Sequence, residues 1–235
     1  MNALYIMGAT CVVIACLTAI LRNRKSERGR LTTKLLASLL FCTIGLVAAA
    51  LREQMSITAA LLLGALLLGL LGDVLLGLDH FVAKDLQPFL FLLGGAPFFL
   101  GHVLYIVLLL LTTPLNPWLL LVLPLVPLLF LALHKTKIVD FGNNLLPLLA
   151  YGTVLSAMVM CTLNIAKLGA SLPQGEDLSR LMLLPGILFV ISDTTLFLNK
   201  FGGVRTRKWI PVFSFGIMLP YYTAQSLFAL AVRYI

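Results

Sequence analysis

The chain has 235 residues, of which 60% are apolar and 11% charged, with a mean hydropathy of +1.05 and a formal net charge of +8. That composition excludes an ordinary soluble domain and points to a membrane protein. The positive charge does not point to nucleic acid, because the lysines and arginines lie in short loops between apolar runs, where orientation in a bilayer accounts for them.

Crossing the hydrocarbon takes about 20 apolar residues in a helix. Eight runs approach that length: Ala3 to Leu21, Leu35 to Leu51, Ile57 to Leu78, Phe89 to Leu111, Leu115 to Leu133, Leu145 to Ile165, Leu181 to Leu198 and Ile210 to Val232. The first is expected to stay as a helix, since it lacks the basic n-region of a signal peptide and its basic cluster follows the apolar run. The second and fifth carry almost no polar atoms and read as scaffold, with Pro124 and Pro127 set to kink the fifth. In the third, "LLGALLLGLLGD" has no Lys-Ser/Thr after it and matches no phosphate loop; Gly64, Gly69 and Gly72 instead permit close helix contact. The fourth contains "LLGGAPFF", a predicted break at Gly94, Gly95 and Pro97 with the proline opening a new helix. Pro220 is a kink candidate in the eighth. Trp118 and Trp209 sit at span ends as interfacial anchors, and Cys11, Cys16, Cys42 and Cys161 lie inside apolar runs as small packing residues. The longest connection, Ala166 to Arg180, is too short for a soluble domain. The expected fold is therefore all-α: a polytopic membrane protein with residues 1–235 forming one domain, a single bundle of eight transmembrane helices.

Of the 17 Lys and Arg residues, 13 fall in the odd-numbered loops, Lys200, Arg205, Arg207 and Lys208 among them. The positive-inside rule then places the odd loops in the cytosol and both termini outside it.

Within the spans only Asp73, Asp193 and His102 are ionisable acids or imidazoles, and every Lys and Arg is read as outside a span or at its edge. An aspartate at a helix centre costs roughly 2.5 to 3.5 kcal/mol on insertion scales, so each needs buried partners or a watery cavity. Asp73 lies five residues before the end of its run and Asp193 five before the end of its own, which puts both roughly 7 to 8 Å beneath the same boundary. His102 and Tyr105 share one face of the fourth helix, and Tyr222 and Gln225 share one face of the eighth. Such residues can also simply tie helices together, at about 0.6 kcal/mol per contact on average.

Four segments together resemble the YhhN-type lysoplasmalogenase family: "GD" at Gly72 and Asp73, "FFLGHVLY" from Phe98, "ISDTTLFLNKF" from Ile191 and "YYTAQSLFAL" from Tyr221, with "YGTVLSAM" from Tyr151 as a weaker fifth. The resemblance spans about two thirds of the chain by the order of its motifs. It implies an eight-helix integral enzyme that hydrolyses the 1-alkenyl ether bond of lysoplasmalogens, giving a fatty aldehyde and glycerophospho-ethanolamine or -choline. It also implies a bacterial cell membrane or an endoplasmic-reticulum membrane as its location. The stretch from His80 to Ala96 departs from the family pattern, which leaves head-group and chain preference unassigned.

The residues suit that chemistry. A vinyl ether is stable to base and cleaves when an acid protonates its β-carbon, giving an oxocarbenium ion that water captures. Two carboxyls in one low-dielectric layer can divide the work of proton donor and counter-charge, as in glycosidases. The reading assigns Asp193 as general acid and Asp73 as the carboxylate that stabilises the cation and orients water, with the reverse assignment left open. His102, Tyr105, Tyr222 and Gln225 are expected to shape the pocket, and Asn199 and Lys200 to meet the phosphate. No metal or other cofactor is expected, since no Cys/His cluster or acidic loop is present. The partners are a lysophospholipid substrate and membrane lipids, and a homodimer is left open.

Rival readings are a proton-coupled transporter or lipid carrier using the same aspartates and a purely structural membrane protein. An intramembrane aspartyl protease is disfavoured, because Leu70 stands where its Gly-x-Gly-Asp motif needs glycine.

Overall fold

In hydrocarbon a backbone has no water to bond, so long runs of leucine and alanine must close their hydrogen bonds internally as helices. The computed structural model describes residues 2–168, 175–203 and 209–235, and it is built of helices and their connections. In chain order they are α1 (Asn2–Asn23), α2 (Glu27–Ala50), α3 (Ile57–Gly77), α4 (Gln87–Thr112), α5 (Leu125–Lys135), α6 (Leu145–Leu168), α7 (Gly175–Met182), α8 (Pro185–Phe201) and α9 (Ile210–Ala231). Short 3₁₀ turns precede α4, α5 and α6. Among the described residues the only β pairing is an isolated bridge between Val139 and Gly202.

Among the described residues, seven stretches are long and apolar enough to cross a membrane, so the chain is an integral multi-pass membrane protein. They include Pro117–Lys135 and Gly175–Phe201, each taken as one stretch. Ile210–Ala231 is not among them, although it is a 22-residue helix, because Tyr221, Tyr222, Gln225 and Ser226 lower its hydropathy. Those residues do not face lipid. Twelve positions of α9 are buried, and the helix packs against α1, α2 and α8 as the most enclosed element of the bundle.

Four boundaries differ from the sequence reading, each for a physical reason. Helix α2 starts at Glu27, eight residues before the predicted Leu35, and this carries Arg30 and Lys34 into the helix as buried side chains. The fifth run is broken: a 3₁₀ turn over Pro117–Val122 leads to α5 only after Pro124. The seventh run divides into α7 and α8, since Pro185, with no N–H to donate, opens a new helix in its first turn. The predicted break at Pro97 does not occur. Helix α4 runs through that proline without interruption, and α9 likewise runs through Pro220.

Close approach of α3 and α4 is built on glycine. A Cβ at Gly72 would lie 2.7 Å from the Phe98 ring, and one at Gly94 would lie 2.7 Å from Leu76 Cδ2. Gly72 directly precedes Asp73, so the same packing that seats Phe98 on α3 fixes the turn carrying the carboxylate.

Candidate active site

Asp73, on the last turns of α3, is 2% exposed and bonded through both oxygens. Lys34 Nζ from α2 pairs with Oδ1 at 3.2 Å, and Oδ2 accepts from Ser38 Oγ at 2.6 Å, Tyr221 at 2.9 Å and Tyr222 at 3.3 Å. Side chains from two other helices, α2 and α9, thus converge on one carboxylate. A charge taken out of water survives only when its lone pairs are met in this way. Lys34 and Ser38 reach it because they stand at i and i+4 on one face of α2.

Asp193, in the middle of α8, is held on one side only. Tyr151 on α6 donates its hydroxyl to Oδ2 at 2.7 Å, and His102 Nε2 on α4 lies 3.4 Å from the same oxygen and 3.2 Å from the Tyr151 hydroxyl. Oδ1 has no hydrogen-bond partner among the described residues. The Asp193 side chain keeps 11% of its surface, against 2% for Asp73. The rings around His102 fix its place: Phe189 meets it edge-on at 4.9 Å and Tyr151 at 5.8 Å.

Both carboxylates line a single cavity of about 110 Å³ at the basic end of the bundle. Its floor is apolar and aromatic, with Leu76, Phe98, Leu196 and Ile217. Its charged lining is mainly cationic, with Arg22, Arg30, Lys34 and Lys200 against the acid Asp79, and Asn199 beside them. Arg30 is already engaged, at 2.8 Å from Asp79 and 3.0 Å from Glu27, and Lys34 belongs to Asp73. Lys200 Nζ stands 4.9 Å over the Phe91 ring. Arg22 makes no ion pair among the described residues. A cavity lined by two buried aspartates and several cations can take a polar anionic group and activate a small reactant.

Asp73, Asp193, Asn199 and Lys200 therefore share this cavity, and His102 and Tyr222 each touch one of its carboxylates. Tyr105 and Gln225 stand one layer behind: Tyr105 donates to Gln225 Oε1 at 2.6 Å, and Gln225 Nε2 donates to the Tyr221 hydroxyl at 3.1 Å. Arg205, Arg207 and Lys208 lie outside the described residues. The sequence alone gives Lys34 and Arg22 only a part in membrane orientation, and names neither them nor Ser38, Tyr151 or Tyr221 as site residues. The signal for Lys34 and Ser38 was present in α2, where Arg30, Lys34 and Ser38 form a polar stripe at every fourth residue. The reading of α2 as inert scaffold is thereby corrected.

No curated protein and no solved structure matches the chain. The model of the YhhN family matches residues 29–232, a stretch that begins in α2, ends just past α9 and contains both carboxylate clusters. By that match the chain belongs to the YhhN family, the lysoplasmalogenase family.

Proposed function

We propose that this protein is a lysoplasmalogenase that hydrolyses the vinyl ether bond of 1-alkenyl lysophospholipids, with Asp193 as the acid and Asp73 as a fixed charge. The single observation that carries the reading is that two membrane-embedded carboxylates from different helices line one small cavity with a mainly cationic charged lining. In this reading α9 completes an eight-span bundle, and the basic end of the bundle faces the cytosol.

Asp193 delivers a proton from Oδ1 to the β-carbon of the alkenyl group while the ether oxygen supplies the electron pair that makes the oxocarbenium ion. Tyr151 and His102 hold Oδ2 and so aim the other oxygen. A water then adds to the cationic carbon and gives up its proton to the Asp193 carboxylate, which restores the acid. The hemiacetal passes its hydroxyl proton to the ether oxygen as the carbon–oxygen bond breaks. One water is consumed, and a fatty aldehyde and a glycerophospho-alcohol leave. Asp73, balanced by Lys34 and three hydroxyls, keeps its charge and place throughout and adds negative potential on the far wall. The phosphate stays near Arg22, Lys200 and Asn199.

The test is aldehyde release from a lysoplasmalogen by purified protein beside monodisperse Asp193→Asn and Asp73→Asn variants. Aldehyde from wild type and almost none from Asp193→Asn is expected. Absence of aldehyde from well-folded wild type, with both ethanolamine and choline substrates supplied, would sink the reading.

A further inference from the structure

A second cavity, of about 290 Å³, lies against the first. Four side chains, Leu76, Phe91, Phe98 and Leu196, belong to the walls of both. Its remaining lining is apolar except for Tyr151, the residue whose hydroxyl holds Asp193. The groove runs along α4 from Phe91 to Phe99, which is about 12 Å at 1.5 Å per residue, and its other wall is α6 from Pro147 to Tyr151. Leu92, Ala96 and Pro147 on its lips are exposed residues of membrane-spanning stretches, so the groove opens sideways toward lipid and not toward water.

We infer that this groove is the hydrocarbon-chain site: the chain of the lysolipid enters from the bilayer between α4 and α6, with its first carbons beside Asp193 and Tyr151. The inference rests on the proposed hydrolase reading for the identity of the lipid, while the position of the chain comes from the groove itself. Three features commit it to a single alkyl chain. The groove shares the wall residues Leu76, Phe91, Phe98 and Leu196 with the cavity that holds both carboxylates. It has one aromatic-walled channel and no charged side chain. Its one polar lining residue is Tyr151, whose hydroxyl bonds Asp193 on the wall of the first cavity, so the head of an amphiphile would turn toward the cations there.

Gly95 is the position that sets how much chain the groove accepts. It lines the groove, and a Cβ there would meet nothing within 4 Å, so a side chain can be added at this lining position without a clash at its root. Replacing a mid-helix glycine also favours the helix. Gly95→Phe should therefore exclude several methylenes and weaken binding of a long-chain lysolipid by about tenfold or more.

The experiment uses a non-cleavable 1-O-alkyl lysophosphatidylethanolamine with a photoreactive diazirine partway along its chain. It is mixed with the purified full-length protein in detergent, and the adducts are mapped by mass spectrometry. Labelling is expected on peptides covering residues 91–99 and 147–151, lost in Gly95→Phe and kept in Leu93→Phe, a lipid-facing change on the same helix outside the groove. Adducts confined to other helices, or labelling of the groove that Gly95→Phe leaves unchanged, would overturn the inference. Because the probe is not hydrolysed, the outcome is independent of turnover. Groove labelling by a protein that releases no aldehyde would defeat the hydrolase reading alone, and aldehyde release with labelling elsewhere would defeat the groove alone.

Discussion

The two buried carboxylates of this protein share a cavity but live in opposite circumstances. Asp73 has a cation on one oxygen and three hydroxyls on the other. Asp193 has a tyrosine and a histidine on one oxygen and nothing from the described residues on its second. A carboxylate engaged on both oxygens is held as a fixed charge, because moving a proton to it would break bonds already made. A carboxyl held on one side and open on the other is fixed in aim and free to react. In the proposed mechanism, two aspartates that look equivalent in sequence thus take different parts, one as a fixed charge and one as the reacting group.

The comparison breaks most sharply at Asp193. Replacement by Asn keeps the shape and removes the transferable proton, so turnover should fall by about 10²- to 10⁴-fold with the protein still monodisperse. Loss of folding in place of turnover would mean that Asp193, too, is structural. The next effect belongs to the other cluster. Lys34→Met leaves Asp73 as an uncompensated buried charge, which costs about 3 to 5 kcal/mol and should lower the melting temperature steeply. Adding Asp73→Asn to that variant should restore much of the loss, and a double-mutant cycle in thermal unfolding measures the coupling.

Smaller effects sharpen the distinction. Tyr151→Phe removes the shortest bond to Asp193 and is expected to lower kcat by about tenfold with little change in stability, the upper value of one ordinary hydrogen bond. Tyr105→Phe breaks only the chain from Tyr105 through Gln225 to Tyr221, behind the cavity. An interhelical bond in a membrane averages about 0.6 kcal/mol, so that variant should unfold slightly earlier and turn over almost normally. A larger loss of turnover from Tyr105→Phe than from Tyr151→Phe would reverse the roles given to the two layers.

How much of this was legible in the sequence follows from what each residue costs in a membrane. Asp73, Asp193 and His102 stood out because charged or titratable groups inside apolar runs are expensive and need a reason. Their shared depth followed from counting residues to the ends of two runs, and both do line one cavity. Lys34 was hidden by the opposite logic. A lysine just before an apolar run is what membrane orientation already demands, and that masks the polar stripe of Arg30, Lys34 and Ser38 that belongs to a helix begun two turns earlier. Tyr151 was hidden as well, since one tyrosine in an apolar helix is ordinary and its partner stands 42 residues away on α8. The prolines show how local rules compete with packing. Pro124 and Pro185 lie at the starts of helices, whereas Pro97 and Pro220 lie inside helices that continue through them. Where neighbouring helices enclose a segment, a missing N–H bends the ladder without ending it.

The central claim is that Asp193 protonates carbon. Hydrolysis of a lysoplasmalogen in D₂O, with the aldehyde trapped as it forms and analysed by mass spectrometry, tests it most directly. The account predicts one deuterium on the aldehyde carbon next to the carbonyl, the former β-carbon of the vinyl ether, with its formation abolished in Asp193→Asn. Aldehyde released without deuterium at that carbon would contradict it.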